Sequence, residues 1–242
     1  MLKYLRYIIV GIVIISLMFL TLFFMIFRPR KVKNSDLFVA RLGKIALSIL
    51  GIKMKVKHGS YFLKNRPCIF ISNHQSNIDT WTLAANLPKG SITLGKKSIL
   101  YIPIFGAFYY LCGNFLINRK DKISSKAMIN NLVTYLKENQ LSIWVMPEGT
   151  RSKGKGVRPF KKGPFHLAIG SGLPIVPICI SSYEKSFDLN KWKSGTILVE
   201  PLEAISTKEL SVEDVSSLAE KSRKIIIAGV EKLDQEIMRA ND

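Results

Sequence analysis

One short segment of this chain places a possible base and a carboxylate at a spacing that suits catalysis. Residues 73–79 read Asn-His-Gln-Ser-Asn-Ile-Asp, so His74 and Asp79 are five positions apart. On one continuous helix the two side chains would point about 140° apart and could not meet. They can meet if His74 lies in a turn and Asp79 lies in the first turn of a following helix. The carboxylate would then fix the imidazole tautomer and stabilise the imidazolium, whereas a turn histidine beside an unrelated helix carboxylate is the simpler alternative.

The sequence offers no motif for a protein nucleophile beside this pair. A serine in the G-x-S-x-G pattern is absent, and the three cysteines, Cys68, Cys112 and Cys179, lie in apolar runs that are typical of reduced core thiols. The other two histidines, His58 and His166, have no cysteine or histidine at ligand spacing. We therefore expect a substrate hydroxyl to be the nucleophile, and we predict no metal site.

A second polar segment follows an apolar strand that we predict at 142–146. From Pro147 to Ser152 the chain reads Pro-Glu-Gly-Thr-Arg-Ser, and it opens a loop rich in glycine and basic residues. Glycines let backbone amides approach an anion, and Arg151 can hold two phosphate oxygens as a fork. The full G-x-x-x-x-G-K-[ST] order is absent, so nucleotide hydrolysis is not predicted. A solvated basic loop is the alternative, but a buried Glu148 at the strand end would not fit it.

Two further segments have residue types that suit a binding site. Gly113 begins an alternating stretch that ends in Arg119, at a strand end where sheet proteins often bind ligands; a surface arginine is the alternative. Residues 173–178 contain Pro174 and Pro177, and two prolines in an apolar strand predict an edge strand or a rigid pocket wall.

The rest of the sequence alternates between apolar strands and amphipathic helices. Apolar residues at helical spacing predict helices that begin at Ile78, at Ser124 and at Val212. The order of elements favours an α/β fold with a mixed, largely parallel sheet covered by helices. The predicted strands are Cys68–Ser72, Ser91–Leu94, Asn114–Asn118, Ser142–Met146, Leu173–Ser181 and Thr196–Glu200.

The N-terminal part of the chain predicts a membrane anchor. No charged residue occurs from Tyr7 to Phe27, a stretch close to the roughly 20 residues that cross a bilayer core. A cleaved signal is disfavoured because the stretch is long and the basic segment 28–31 follows it. We divide the chain into an anchor helix with basic flanks over 1–35 and an α/β domain over 36–242. Residues 36–50 are amphipathic and predict either an interfacial helix on the membrane or an ordinary core helix.

The charge balance indicates an anionic partner. The chain has 36 Lys and Arg against 17 Asp and Glu, which gives a net charge of +19. Nucleic acid and an anionic membrane both suit this excess, and the apolar N-terminal stretch favours the membrane. A nucleic-acid binder would interleave aromatic and basic residues, yet the loop after Glu148 has only Phe160 and Phe165.

The heavier basic flank follows the apolar stretch, so we expect the domain on the cytoplasmic side. Basic flanks at both ends also suit a helix that dips into one leaflet.

In their order along the chain, these segments resemble the sequence blocks of the glycerolipid acyltransferase family. The blocks are His74 with Asp79, residues 113–119, residues 147–152, and Val176-Pro177-Ile178. The resemblance covers nearly the whole chain and is greatest to the bacterial branch that acylates 1-acyl-glycerol 3-phosphate. One departure is Asn118, where the family often has aspartate.

The resemblance implies transfer of an acyl chain from a thioester, either acyl-CoA or acyl carrier protein, to the 2-hydroxyl of lysophosphatidate, which gives phosphatidic acid. It implies His74 as the general base, Asp79 as its orienting partner, and no bound cofactor. The residues it places in the acceptor site are Lys96, Arg119, Glu148, Gly149, Thr150 and Arg151, and the candidates for the acyl pocket are Pro174 and Pro177.

The resemblance also implies residence in the bacterial inner membrane, with the catalytic domain on the cytoplasmic side. Three rival interpretations stay open at this point. They are a membrane-anchored nucleic-acid binder, a hydrolase with its own nucleophile, and an acyltransferase for glycerol 3-phosphate or another lyso-lipid. Partners of the favoured interpretation are the lipid bilayer, lysophosphatidate and the thioester donor, with no nucleic acid.

Overall fold

A mixed sheet of seven strands forms the centre of the protein, in a computed structural model that describes residues 1–118 and 122–241. The strands are β1 (Ile52–Val56), β2 (Ile69–Ser72), β3 (Ser91–Lys96), β4 (Phe115–Ile117), β5 (Ser142–Val145), β6 (Ile175–Ile180) and β7 (Gly195–Pro201). Their order across the sheet is β1-β7-β6-β2-β5-β3-β4. Strands β2 to β6 are mutually parallel, whereas β1 and β7 run the other way. The prediction of an α/β fold with a mixed, largely parallel sheet is confirmed.

Helices cover both faces of this sheet. They are α1 (Leu2–Ile26), α2 (Val32–Asn34), α3 (Ala40–Ile49), α4 (Tyr61–Lys64), α5 (Asp79–Asn86), α6 (Phe105–Leu111), α7 (Lys122–Asn139), α8 (Gly163–Ser171), α9 (Tyr183–Ser186) and α10 (Val215–Asn241). A π-helical turn (Ser35–Val39) precedes α3, and 3₁₀ turns span Lys97–Tyr101 and Val212–Asp214. Helices α1, α3, α5 and α6 pack on one face, and α7, α8 and α10 pack on the other.

The central strands are apolar along their whole length because helices cover them on both sides. Every residue of β2, β5 and β6 is buried, which is the pattern expected of strands in the middle of a parallel sheet. These are the strands that the apolar runs in the sequence predict most directly. Strand β1 is not among the predicted strands. It is a short edge strand whose apolar residues alternate with Lys53 and Lys55, and most of it is not buried.

Helix α1 lies along the domain over its whole length. Near its start the buried guanidinium of Arg6 donates to the carbonyl oxygens of Leu189 (3.0 Å) and Lys191 (2.8 Å). Near its end Met25 is fully buried, and just beyond it the Asn34 side chain donates to the carbonyl oxygen of Leu111 at 3.0 Å. A helix of 25 residues is about 37 Å long. Both ends of α1 therefore contact the same domain.

The other side of α1 is apolar and exposed. Among the described residues, α1 is the one helix that has the length and hydropathy to cross a membrane. Its exposed side chains include Leu5, Ile8, Ile12, Ile15, Phe19 and Phe23. An exposed apolar surface of this kind marks contact with a lipid bilayer or with another protein.

The predicted helix over 36–50 packs one face against α5. Leu42 is buried there, and Gly43 lies so close to the backbone of Trp81 and Ala85 that a methyl group at this position would have no room. This packing corresponds to the core-helix alternative for that face. Contact of its outer face with a membrane stays a prediction.

Candidate active site

The loops that carry the polar motifs leave the sheet on the same side, at the carboxyl ends of the strands, because β2, β3, β5 and β6 are parallel. His74 follows β2, Lys96 ends β3, Glu148 follows β5 and Tyr183 follows β6. The carboxyl ends of parallel strands are where α/β proteins commonly bind ligands. The sheet therefore brings two segments that are far apart in sequence, 73–79 and the loop after β5, to one place.

His74 and Asp79 meet across the turn between β2 and α5. Nδ1 of His74 lies 2.6 Å from Oδ2 of Asp79, which confirms the prediction that the two side chains contact each other. Asp79 is the first residue of α5, and His74 lies in the preceding loop. The Asp79 side chain is 1% exposed and that of His74 is 20% exposed. With the carboxylate on Nδ1, a neutral imidazole carries its hydrogen there, and Nε2 is left to accept a proton.

The same carboxylate oxygen also shapes the turn. Oδ2 of Asp79 accepts the backbone N–H groups of Gln75 (2.6 Å) and Ser76 (2.8 Å). A negative charge in the first turn of α5 is favourable because the backbone N–H groups there are unpaired and carry partial positive charge. The fold of the turn and the orientation of the imidazole thus depend on one atom.

Glu148 supports His74 from the other side. Its Oε1 accepts the backbone N–H of His74 at 2.6 Å, and its Oε2 accepts the backbone N–H of Arg158 at 3.0 Å. Burial raises the pKa of the Glu148 carboxyl, while the two backbone N–H bonds act to lower it. Both oxygens face backbone amides, so the geometry indicates that Glu148 positions His74. Direct contact with an acceptor, which the resemblance implied, would have to compete with these two bonds.

The basic loop after β5 lies against the turn that carries His74. The backbone N–H of Ser152 donates to the carbonyl oxygen of His74 at 2.8 Å. Gly149 has a positive φ of 69° in the turn that starts this loop, which explains the glycine. Thr150 and Arg151 are exposed and immediately precede Ser152. Their backbone therefore lies beside His74, and their side chains are accessible from solvent.

The other predicted acceptor residues are less closely defined. Lys96 is exposed at the end of β3, on the same edge of the sheet. Arg119 lies outside the residues that the structure describes. Its role in binding the acceptor stays a prediction.

The two prolines are not brought to the site as the acyl-pocket prediction requires. The carbonyl oxygen of Pro174 accepts the N–H of Ile69, the first residue of β2, at 2.9 Å. Pro174 therefore lies at the amino ends of the strands, whereas His74 lies at their carboxyl ends. Pro177 is buried inside β6 and pairs with Ile71. The prediction of an edge strand is wrong, because β6 lies between β2 and β7.

The sheet tolerates Pro177 because of where its missing N–H would point. Its carbonyl oxygen accepts the N–H of Leu202, on the side of β6 that faces β7. The nitrogen of the same residue faces that side too, and the ladder between β6 and β7 begins only at the next residue, Ile178. Pro177 therefore lies at the end of that ladder, where a missing donor removes only the terminal bond.

A cavity that the sequence did not reveal opens beside the site. Its volume is about 1140 Å³, and mainly apolar side chains of α7, α8 and the strand ends line it, among them Ile129, Val133 and Leu167. Gly149 is also part of its lining, so the cavity reaches the residue next to Glu148. The apolar spacing in the sequence predicts α7, but the gap between α7 and α8 depends on how the two helices pack.

Asn73 and Gln75 are functional neighbours of the dyad that the sequence prediction did not single out. The Asn73 side chain donates to the carbonyl oxygen of Ile180 (2.8 Å) and accepts the N–H of Ile180 (3.0 Å). The Gln75 side chain donates to the carbonyl oxygen of Ser181 (3.0 Å) and accepts the N–H of Tyr183 (3.0 Å). These amides hold the turn against the end of β6. In the sequence, the one feature that could have drawn attention to these two amides is that they flank His74.

Known proteins resemble this chain in sequence and in fold. The family model described as Acyltransferase matches residues 53–181. The chain is 36% identical over 212 residues to a 1-acyl-sn-glycerol-3-phosphate acyltransferase of Salmonella typhimurium, covering 88% of this chain and 86% of that protein. It is 31% identical over 241 residues to the protein of that name from Haemophilus influenzae, covering all of both chains. In fold, it matches the crystal structure of the 1-acyl-sn-glycerophosphate acyltransferase of Thermotoga maritima with a TM-score of 0.73 at 23% identity, covering 96% and 95% of the two chains.

The contacts of Glu148 lead to a first prediction. Glu148→Gln should lower both the melting temperature and the turnover of the enzyme, because an amide has one acceptor oxygen and would turn its NH₂ group toward a backbone N–H. A buried N–H left without an acceptor costs about 1–3 kcal/mol. Thermal unfolding and initial rates measure the two effects. Glu203→Gln, a change of an exposed carboxylate, should alter neither. Wild-type rate and melting temperature in Glu148→Gln would contradict the positioning role.

Proposed function

Since the chain belongs to the acyltransferase family, we propose that it acylates the 2-hydroxyl of 1-acyl-glycerol 3-phosphate and so produces phosphatidic acid. As a member of this family, the chain is an acyltransferase. The observation that carries the proposed reaction is the 2.6 Å contact between Nδ1 of His74 and Oδ2 of Asp79, because it leaves Nε2 available as a base. The names of the similar bacterial proteins support lysophosphatidate as the acceptor.

In the proposed reaction, Nε2 of His74 removes the proton of the 2-hydroxyl as its oxygen attacks the thioester carbonyl carbon. A tetrahedral intermediate forms, the bond from carbon to sulfur breaks, and the imidazolium returns its proton to the leaving thiolate. The Asp79 carboxylate stabilises the imidazolium between these steps. A positioned base contributes about 10² to 10⁴ in rate. The donor is an activated thioester, so the reaction requires no bound cofactor or metal.

The acceptor phosphate would bind to the basic residues at the carboxyl edge of the sheet. Arg151 is the favoured ligand because its backbone neighbour Ser152 is bonded to His74 and because its guanidinium can hold two phosphate oxygens. Lys96 and Arg119 are further candidates from the sequence. The net charge of +19 supports the binding of an anionic lipid at this edge.

The acyl chain of the donor would occupy the cavity between α7 and α8. The cavity is apolar, and its lining includes Gly149, next to the residue that holds His74. Lys161 and Lys162 are exposed and also line it. Their charge suits the phosphates of coenzyme A and the acidic surface of a carrier protein equally well, and the donor is one of these two.

The exposed apolar side of α1 would hold the enzyme in one leaflet of the membrane. A helix that spans the bilayer has its two ends about 30 Å apart, on opposite sides of the hydrocarbon core. Here both ends of α1 contact one domain, through Arg6 at the start and Met25 near the end. A helix lying along the interface keeps the domain on one side. The basic residues after α1 favour the cytoplasmic side of the bacterial inner membrane.

The general-base role generates the second prediction. His74→Ala should lower acyl transfer by about 10² or more, with a small change in melting temperature because the side chain is partly exposed. Asp79→Asn should also be severely impaired, through loss of the charge and of tautomer control. The assay supplies lysophosphatidate with acyl-CoA or acyl carrier protein thioester and detects phosphatidate by mass spectrometry. His58→Ala, at an exposed histidine, is the control. Retention of more than about a tenth of the wild-type rate in His74→Ala would exclude His74 as the base.

The cavity generates the third prediction. Val133→Trp should shift the donor preference to shorter acyl chains, because the indole would fill space between α7 and α8 near Gly170. We expect a change in kcat/KM across a series of thioesters and little change in KM for lysophosphatidate. Asn131→Trp adds the same side chain at an exposed position of α7 and should leave the preference unchanged. The same chain-length profile in Val133→Trp and wild type would exclude the cavity as the donor site.

Membrane topology supplies the fourth prediction. A short Ser-Cys-Ser extension before Met1 and a Lys155→Cys variant should react with a membrane-impermeant maleimide from the same side of sealed vesicles. The native cysteines give little background, because Cys68, Cys112 and Cys179 are fully buried and burial raises the pKa of each to about 12. Labelling of the N-terminal cysteine only from the side opposite Lys155→Cys would show that α1 spans the bilayer.

A further inference from the structure

Asp79 uses only one of its two carboxylate oxygens. Oδ2 receives hydrogen bonds from His74, Gln75 and Ser76. Oδ1 is equally inaccessible to solvent but has no hydrogen-bond partner among the residues that the structure describes. A buried carboxylate oxygen without a donor is costly, and most such atoms in proteins are satisfied.

The hydroxyl of Tyr183 is held on the side of α5 that carries Asp79. The hydroxyl oxygen of Tyr183 lies 3.2 Å from Oγ1 of Thr82. Thr82 follows Asp79 by three residues on α5, so their side chains are neighbours on one helix face. Thr82 is fully buried and Tyr183 is 7% exposed. The hydroxyl is therefore enclosed beside the Asp79 carboxylate.

The rest of the tyrosine is fixed, so its hydroxyl cannot move far. Its backbone N–H donates to Oε1 of Gln75 at 3.0 Å, and its ring packs on Phe187 with 5.3 Å between ring centroids. Burial and the Asp79 carboxylate raise the pKa of Tyr183 well above its usual range. The group therefore stays a protonated donor wherever the enzyme is active.

We propose that Tyr183 is a positioning residue of the dyad, whose hydroxyl donates to Oδ1 of Asp79 while it accepts a hydrogen bond from Thr82. In the structure the hydroxyl donates to Oγ1 of Thr82. Turned toward Oδ1 it would donate there and accept from Thr82 instead, because one hydroxyl can donate once and accept at the same time. The resulting chain runs from Thr82 through Tyr183 and Asp79 to His74. The inference rests on the proposed general-base role of His74.

This series of hydrogen bonds would weaken the effect of the Asp79 charge on His74. A donor on Oδ1 partly neutralises the carboxylate, so the imidazolium is stabilised less than it would be by an uncompensated Asp79. Glu148 also acts electrostatically on both residues of the dyad, and its oxygens are already held by backbone N–H groups. Removing the tyrosine hydroxyl should therefore favour the protonated, inactive imidazolium.

The test is the pH dependence of kcat/KM for Tyr183→Phe, measured with the full-length enzyme in lipid vesicles containing lysophosphatidate. The acid limb should move to higher pH by about half a unit to one unit, while KM for the acceptor stays the same. Tyr61→Phe removes one hydroxyl at the opposite edge of the sheet and is the matched control. A purely structural role for Tyr183 would lower the melting temperature without moving the acid limb. An acid limb that coincides with wild type would overturn the proposal.

A second substitution predicts a shift of opposite sign and preserves the size of the ring. Site-specific 3-fluorotyrosine at position 183 makes the hydroxyl a stronger donor, so the acid limb should move to lower pH. An unmoved limb in this variant would overturn the proposal even if Tyr183→Phe did not fold. His74→Ala in the same assay separates the two ideas. If His74→Ala retains its activity, the general-base role itself is wrong. If His74→Ala is inactive but the acid limb is unchanged in both variants at position 183, only the role of Tyr183 is excluded.

Discussion

The turn between β2 and α5 is organised around a single buried oxygen, Oδ2 of Asp79. Three donors converge on it, two from the backbone and one from the imidazole of His74. The backbone bonds set the path of the chain between β2 and α5, and that path brings a side chain five positions away within 2.6 Å. The same charge that orients the imidazole therefore also builds the loop on which His74 sits. Because the spacing serves both purposes, adding or removing a residue in 75–78 would disturb the turn and the dyad together.

The segments at the ends of the two strands that flank β2 restrain this turn, so the site depends on the centre of the sheet. From β5, the Glu148 carboxylate and the N–H of Ser152 hold the N–H and the carbonyl oxygen of His74. From β6, both backbone groups of Ile180 are bonded to the side chain of Asn73. The backbone of His74 and the side chain of Asn73 are thus bonded to segments that are distant in sequence. A rigid backbone reduces the entropy that a catalytic geometry must otherwise overcome.

The sequence predicted the parts of the fold that depend on local pattern. Apolar runs identified β2, β5 and β6 because buried central strands need no polar alternation, and the spacing of His74 and Asp79 predicted their contact. Strand β1 was missed because five residues with two lysines give a weak signal. Pro177 was misread because a proline can lie inside a central strand where the ladder with one neighbour ends. The cavity and the partners of Glu148 arise from tertiary packing, which no local pattern encodes.

The two faces of the sheet divide the work that the proposed function requires. Helix α1, with its exposed apolar side, packs on the face that includes α3, α5 and α6, whereas the cavity lies on the other face, between α7 and α8. The dyad lies at the edge of the sheet, where the two faces meet. An acceptor held in the membrane and a donor that arrives from water would then reach His74 from different sides. Such an arrangement keeps two apolar chains out of each other's path, and it lets the chain length of the donor be selected without any constraint on the lipid that receives it.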